Sequence, residues 1–188
     1  YKDYTDLEKK LLLYDITNYT INDDGTIDVY SDVNLCHKKL KQIPFKFGKI
    51  DGNFDCSYNQ LENLNGCPNY VSGDFICSFN QLISLEGSLN HIGGDLAASN
   101  NRITYISPGI NIDGILHIYN NPINVIFRTL KTIYFSEKVL EELSIYNPIS
   151  PDGKIINKQR LKELYQHLGF IDNLEQDISE LSQYYQII

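Results

Sequence analysis

Several residue types and patterns are missing from this chain of 188 residues, and each absence narrows what the protein can be. Methionine and tryptophan are absent, and 16 lysines and arginines face 24 aspartates and glutamates, which gives a net charge of -8. Binding to a phosphate backbone depends on clustered cations that release counterions, so we expect no direct nucleic-acid binding. The longest apolar runs, such as LLLY at 11–14, are far shorter than the ~20 residues of a membrane-spanning helix, so we expect no membrane insertion.

Motifs of catalysis and of cofactor binding are missing as well. The sequence contains no Ser-His-acid grouping in a plausible motif and no GxxxxGK[ST] phosphate loop. His37 next to Cys36 is the one pair that could activate a thiol. Single aspartates in a row on a flat sheet offer too few oxygens for the usual calcium coordination. We therefore expect no enzyme, no catalytic residues, no cofactor and no metal.

Cysteine is scarce, with four residues at positions 36, 56, 67 and 77. No CxxC pair is present to form half of a zinc site. Cys56 and Cys77 fill a repeat position that Leu35, Ala98 and Ile118 fill in other copies, as expected of a small buried hydrophobe. Free core thiols are the preferred interpretation, with a metal or disulfides as the alternative, and they predict a cytoplasmic location. The chain begins at Tyr1, so removal of an N-terminal signal stays open.

The feature that the sequence does contain is a short internal repeat. GNFDCSYNQL at 52–61 and GDFICSFNQL at 73–82 differ at three of ten positions and start 21 residues apart. GDLAASNNRI follows after another 21 residues, at Gly94, and GILHIYNNPI after 20 more, at Gly114. An earlier copy has Ser31 in place of this glycine, which makes five repeats. A fixed period of this length is typical of a stacked repeat protein.

Positions within the repeat separate the core from the surface. The residues two and four places after the glycine are apolar, which predicts a short strand with one inward face. The residue seven places after it is asparagine in four copies and Lys38 in the first. A buried amide can satisfy turn groups, so we expect a ladder of stacked amides. The predicted ladder consists of Asn59, Asn80, Asn101 and Asn121.

Glycines mark the expected corners of each coil. We expect the glycine before each strand, and the Asn-Gly and Glu-Gly pairs at 65–66 and 86–87, to supply positive-φ corners. The return side of a coil of this length is too short for full helices. It is expected to hold turns, 3₁₀ turns or extended segments.

These residues resemble the leucine-rich repeat, L-x-x-L-x-L-x-x-N-x-L, in a form of 20 to 21 residues. The pattern V-x-G-D-F-x-C-S-x-N-Q-L-x-S-L-E-G is similar to repeats of leucine-rich repeat proteins from large bacteriophages, other viruses and some bacteria. The resemblance implies an α/β solenoid with a parallel β-sheet on one face and a binding role. Lys38 in the asparagine slot and Ser107-Pro108-Gly109 in place of the Glu-Gly turn depart from the pattern, near the ends of the array.

The two ends of the array, residues 31–127, need covering because a stack of repeats exposes apolar surface there. Residues 1–30 predict an N-terminal cap. Thr5 and Glu8 form a capping box that opens a helix over roughly residues 6 to 14. The segment 19–30 reads as a hairpin turned by Asp24 and Gly25.

Residues 128–188 predict a C-terminal helical cap. One helix is expected between Ser136 and Asn147, a second ends at Gly169, and a third carries apolar residues at spacings of three and four as far as Ile188. The apolar stripe of the third helix alternatively favours self-association or a partner helix.

The candidate site lies on strand residues that point away from the core. One side of the sheet is acidic, and the other carries His37, Tyr58 and Phe79 in line, as interface anchors often do. The alternative is that Tyr58 and Phe79 only pack on each other or under a cap. The predicted partner-binding residues are His37, Tyr58, Phe79, Ile76, Tyr119, His117, Asp55, Asp74 and Asp95.

The function expected from these features is a non-catalytic protein-binding scaffold. The resemblance implies a phage or viral protein that modulates or inhibits a host protein, such as a defence component, in the host cytoplasm. One alternative is an assembly protein that docks through its C-terminal helices. Another is an inhibitor whose acidic face imitates DNA.

Overall fold

The computed structural model describes residues 4–87, 89–123, 137–169, 171 and 174–188. Five pairs of short strands follow one another along the chain and stack as a parallel-strand β-solenoid. About four turns of the solenoid lead from the first pair to the last, and a few helices lie outside it. The solenoid expected from the repeat is thus confirmed.

The secondary-structure elements are short throughout. The helices are α1 Asp6–Leu13, α2 Glu137–Tyr146, α3 Lys158–Leu168 and α4 Leu174–Leu181. The first strands are β1 Tyr19–Ile21, β2 Ile27–Val29, β3 Val33–Asn34, β4 Phe47–Ile50, β5 Phe54–Asp55, β6 Tyr70–Val71 and β7 Phe75–Ile76. The remaining strands are β8 His91–Ile92, β9 Leu96–Ala97, β10 Asn111–Ile112, β11 Leu116–His117, β12 Ile155–Ile156 and β13 Gln186–Ile187.

Two sheets wind together through the solenoid. The first has the order β1-β2-β4-β6-β8-β10, and the second has the order β11-β9-β7-β5-β3. All neighbours in both sheets are parallel except the β1–β2 hairpin. We number the coils 1 to 5, each with one strand in each sheet, from β2 and β3 in coil 1 to β10 and β11 in coil 5.

The sequence predicted a parallel sheet on one face of the solenoid, and in addition to it the structure has the first sheet. It uses the residues just before the glycine of each repeat, such as Tyr70–Val71 and His91–Ile92. Each of these strands buries a single apolar residue, Val71 or Ile92, at 0% exposure. Two residues are enough for a parallel ladder when the same pair recurs in the neighbouring coil.

Equivalent residues of successive repeats lie side by side. Phe54 pairs with Phe75, and Phe75 pairs with Leu96, so one repeat forms one coil. All three side chains are fully buried, and the rings of Phe54 and Phe75 stack with centroids 5.4 Å apart. The core is therefore a continuous column of stacked apolar residues.

The predicted amide ladder is confirmed. The Nδ2 atom of Asn80 donates to the carbonyl of Cys77 in its own coil, at 3.1 Å, and to that of Cys56 in the preceding coil, at 3.0 Å. Its Oδ1 atom accepts from the N–H of Leu61, also in the preceding coil, at 2.9 Å. Each amide thus bonds to the backbone of two coils. The same kinds of bond are made by Asn59, Asn101 and Asn121.

Only part of the predicted glycine corners has positive φ. Gly52, Gly66 and Gly87 have it, at 156°, 89° and 159°, whereas Gly73, Gly94 and Gly114 do not. A Cβ atom on Gly94 would collide with Oδ1 of Asp74 in the preceding coil, and the other two glycines are placed in the same way. These corners need glycine because no side chain fits between the coils.

The N-terminal helix and hairpin form as predicted. Thr5 and Glu8 make both bonds of the capping box, from Thr5 N–H to Glu8 Oε2 at 2.7 Å and from Glu8 N–H to Thr5 Oγ1 at 3.2 Å. Helix α1 buries Leu11 completely in the core. The hairpin turns at Gly25, whose φ is 79°.

The three helices predicted in the C-terminal segment are present, and the last one is shorter than predicted. Helix α3 ends at Gly169, which is left-handed as expected, whereas Ser136 lies outside the described residues. The last helix ends at Leu181, so its predicted extension to Ile188 is wrong. Strand β13 follows instead and pairs with β12, because the aromatic and β-branched residues near the end favour extended backbone.

The cysteines are free thiols. Cys56, Cys67 and Cys77 are buried, which confirms the core positions predicted for Cys56 and Cys77. Burial raises the pKa of the Cys67 and Cys77 thiols well above the ordinary value. Among the described helices, none has the length and apolar character needed to cross a membrane.

Candidate functional site

A sharp turn after each strand of the second sheet brings one residue per coil to the surface in left-handed backbone conformation. The φ angles of these five residues lie between 53° and 57°. Asparagine, aspartate and histidine are enriched in this conformation, whereas residues such as tyrosine and phenylalanine adopt it at a cost of about 1 to 2 kcal/mol. We call these residues the turn column, and they are His37, Tyr58, Phe79, Asn100 and Asn120.

The first three residues of the turn column form a stack of rings. The centroids of His37 and Tyr58 are 4.3 Å apart with planes at 15°, and those of Tyr58 and Phe79 are 4.3 Å apart with planes at 9°. Tyr58 is 47% and Phe79 43% exposed. Parallel strands about 4.8 Å apart impose this arrangement. The rings therefore do pack on one another, but they stay open to solvent, and we call them the ring stack.

Backbone bonds hold the ring stack in place. The N–H groups of Tyr58 and Phe79 donate to carbonyls of the next coil, those of Ser78 and Ser99, at 3.0 and 2.9 Å. The side-chain amide of Asn59 supports this turn by donating to the carbonyls of Cys56 and Ser57. Hydrogen bonds thus fix the backbone of the turn that carries the rings.

Two of the predicted site residues lie in the strands next to the ring stack. Asp55 and Ile76 are adjacent in register, and both are half-buried. Asp55 Oδ1 accepts from the N–H and the hydroxyl of Ser57, at 2.8 and 2.6 Å, so this carboxylate also supports the turn. Ile76 gives the second sheet a partly exposed apolar side chain beside the rings.

The predicted acidic residues form a ladder at the glycine corner. Asp74 Oδ1 accepts from the N–H of Asp95 in the next coil, and Asp95 Oδ1 accepts from that of Ile115, both at 2.8 Å. Asn53 makes the same bond to Asp74. The N–H of Ile115 and then the side chain of His117 lower the pKa of the Asp95 carboxyl. These carboxylates have a backbone role in addition to any role toward a partner.

The remaining predicted residues lie at the other end of the second sheet. His117 Nε2 is 3.1 Å from Asp95 Oδ2. The rings of His117 and Tyr119 are 6.4 Å apart, and Tyr119 is 66% exposed. The structure therefore divides the predicted site into two groups, one around the ring stack and one in coils 4 and 5.

A second pair of surface rings was not predicted. Tyr70 and His91 pair in register on the first sheet, with centroids 5.1 Å apart and planes at 11°. His91 Nε2 is also 3.4 Å from Asp113 Oδ2. Both rings lie three residues before a repeat glycine, and this common spacing was the signal that could have revealed them.

The described residues were also compared with the requirements of a metal site and with known proteins. Within it, no group of three or more His, Cys, Asp or Glu side chains is placed to hold a metal ion. Comparison with protein-family models, with curated proteins and with solved structures gives no match to this chain. The fold therefore defines the class, a parallel-strand β-solenoid, and the surface has to be interpreted from its own geometry.

Proposed function

We propose that this protein is a non-catalytic scaffold that binds a partner protein through the ring stack and the neighbouring Ile76. The observation that carries the proposal is the exposure of stacked rings at positions where left-handed backbone disfavours them. Exposed aromatic residues held rigidly are typical anchors of an interface.

We also interpret the solenoid as a short leucine-rich repeat array with capped ends. The asparagine ladder and the buried apolar column support this interpretation. Tyr14, just after α1, packs edge-on against Phe45 with centroids 5.3 Å apart. At the other end, Asn147 Nδ2 donates to the carbonyl of Thr104 at 2.7 Å. These contacts favour a capping role for the terminal segments.

The resemblance of the repeats to phage and viral proteins suggests the class of partner. On this proposal the target is a host protein, such as a defence component, and binding modulates or inhibits it. The C-terminal helix offers less support for a role in assembly. Leu174 and Leu181, which begin and end α4, are 5% and 0% exposed in the chain's own core.

A comparison of two surface variants tests the proposal. Tyr58→Asn with Phe79→Asn removes two rings but keeps residues that tolerate the turn, as Asn100 and Asn120 do. The matched control is Tyr70→Asn on the first sheet. Each purified protein is immobilised, and proteins captured from a host lysate are quantified by mass spectrometry.

The expected result is that one or more partners captured by the native protein are lost from the double variant and kept by the control. Circular dichroism checks that both variants are folded. Unchanged capture by the double variant would show that the ring stack is not the binding surface. Loss of a partner by the control alone would move the site to the first sheet.

A further inference from the structure

The charges of the solenoid are segregated along its axis. Residues 31–50, which include β3 and the turn after it, carry five lysines and the single acidic residue Asp32. Residues 51–123 carry seven acidic residues and one arginine. The basic residues of this acidic protein thus lie in the stretch from β3 to the end of β4, which also carries His37, the first residue of the ring stack.

The lysines nearest to the ring stack are unpaired. Lys38 and Lys39 follow His37 directly, and Lys41 is two residues further on. All three are exposed, and none of them is within ion-pair distance of an acidic group in the described residues. Unpaired cations on a chain with an excess of acidic residues are complementary to an acidic partner.

The ring stack is open at the same end. His37 stacks on Tyr58 through one face, and no second ring contacts His37 in the described part of the chain. Phe79, at the other end, is followed in the turn column by Asn100, whose Oδ1 accepts from Asn120 Nδ2 at 2.8 Å. A planar side chain of a partner can therefore extend the stack at His37, beside the lysines.

The size of this surface limits the shape of its partner. Five strands at about 4.8 Å give a length of roughly 20 Å, and strands of two residues give a width of roughly 10 Å. A stable interface between globular proteins needs roughly 800 Å² on each side, several times this area. An extended segment of about six residues, at about 3.3 Å each, matches the length of the column.

We infer that the ring stack and its lysines bind an extended acidic peptide segment that also carries aromatic residues. This inference rests on the proposed function and names the chemistry of the partner. Carboxylates of the segment lie against Lys38, Lys39 and Lys41. Its aromatic or apolar side chains contact the open face of His37 and the edges of Tyr58 and Phe79. The segment needs carboxylates only where it meets these lysines. A nucleic-acid strand fits less well, because it carries a negative charge at every phosphate and would lie against the seven acidic residues of positions 51–123.

The test uses a fluorescein-labelled random copolymer of glutamate and tyrosine, rich in glutamate. Fluorescence anisotropy measures its affinity for the whole protein at low and at raised salt. Polyglutamate, a copolymer of lysine and tyrosine, and single-stranded oligothymidine are the comparison probes. The lysine variant is Lys38→Gln with Lys39→Gln, and its control is Lys154→Gln with Lys162→Gln, which removes two exposed lysines elsewhere.

The expected result has three parts. The glutamate–tyrosine copolymer binds more tightly than polyglutamate and weakens as salt is raised. Lys38→Gln with Lys39→Gln weakens it by about fivefold or more, and Phe79→Asn by about tenfold, the scale of an interface anchor. The control lysine pair leaves the affinity unchanged.

Other outcomes overturn the inference. Equal loss in the control pair would show that only general charge attraction is measured. Tighter binding of oligothymidine through the same lysines would assign the site to nucleic acid, and preference for the lysine–tyrosine copolymer would assign it to a basic partner. Absence of copolymer binding refutes the acidic-peptide assignment. If the ring variants still lose a partner captured from a host lysate, the proposed function stands without it.

Discussion

The two halves of the turn column share one backbone conformation and differ in their side chains. Coils 1 to 3 place rings there, and coils 4 and 5 place Asn100 and Asn120, yet all five φ angles lie between 53° and 57°. Asparagine is enriched in this left-handed conformation, whereas tyrosine and phenylalanine rarely adopt it. The difference indicates that the coil imposes the conformation, whichever side chain occupies the position.

The largest effect should come from breaking the coil itself. Asn80→Ala leaves Leu61 N–H without its acceptor and removes one of two amide donors from the carbonyls of Cys56 and Cys77, which keep Asn59 and Asn101. The unpaired N–H costs roughly 1 to 3 kcal/mol and each lost bond about 0.5 to 1.5 kcal/mol, so we expect the free energy of unfolding to fall by about 4 kcal/mol. Urea denaturation measures it. Asn90→Ala, at an exposed position, is the control, and equal midpoints for the two variants would remove the ladder from the explanation.

A somewhat smaller loss should follow from filling a corner. Gly94→Ala forces a Cβ atom against Asp74 Oδ1 and the backbone of Gly73, and we expect a loss of about 3 kcal/mol. Gly25→Ala is the comparison, because its site is open and only its φ of 79° is unfavourable. That strain is worth about 1 to 2 kcal/mol. If thermal or urea unfolding ranks Gly25→Ala as the worse variant, the steric role of the corner glycine is wrong.

Exchange of residues between the two halves should cost little. Asn100→Tyr adds a ring above Phe79 on backbone that is already left-handed. Stacking worth about 0.5 to 1.5 kcal/mol offsets the poorer fit of tyrosine, so we expect the free energy of unfolding to change by less than about 1 kcal/mol. Urea denaturation of Asn100→Tyr and of the reverse change, Phe79→Asn, checks this. A loss above about 2 kcal/mol in either variant would show that the coil does not set the conformation alone.

The smallest expected effect is the loss of stability at acid pH that Asp95 causes. The pKa of Asp95 is lower in the folded protein, mainly because Ile115 N–H donates to it and then because of His117. Its contribution to stability is therefore present above the unfolded pKa and is lost as the pH falls through the folded pKa. Asp95→Asn keeps an acceptor for Ile115, as Asn53 does for Asp74.

The measurement is the free energy of unfolding from neutral pH into the acid range. Asp95→Asn should lose less stability with falling pH than the native protein. Glu62→Gln, at an exposed position, should follow the native curve. Parallel curves for Asp95→Asn and the native protein would contradict the role given to this carboxylate.

Much of the coil could be predicted because it depends on residue types that recur at a fixed spacing. Alternation at Phe54 and Cys56 identified the inward face, and Asn80 identified a buried amide. The capping box of α1 depends only on Thr5 and Glu8, which are close in the chain.

Other features could not be predicted because they depend on contacts between coils. Strands β6, β8 and β10 of the first sheet have two residues each, which is too short to show alternation. Asp74 looked like a surface charge, since its bond to Asp95 N–H crosses to the next coil. Tyr58 gave no sign of left-handed backbone, because its own preference opposes it. The ring stack was predicted as a row of side chains, with packing of Tyr58 on Phe79 as the alternative, but its open end at His37 was not predicted.

The bonds between neighbouring coils also bear on how such a protein can change in length. The Asp74 side chain accepts a hydrogen bond from the next coil, and the Asn80 side chain donates one to the preceding coil. Each coil therefore contains the side chains that bond it to both neighbours. A segment of 21 residues that is duplicated within the array contains these hydrogen-bonding side chains as well. The surface of the turn column can therefore grow or shrink in steps of one strand spacing, about 4.8 Å.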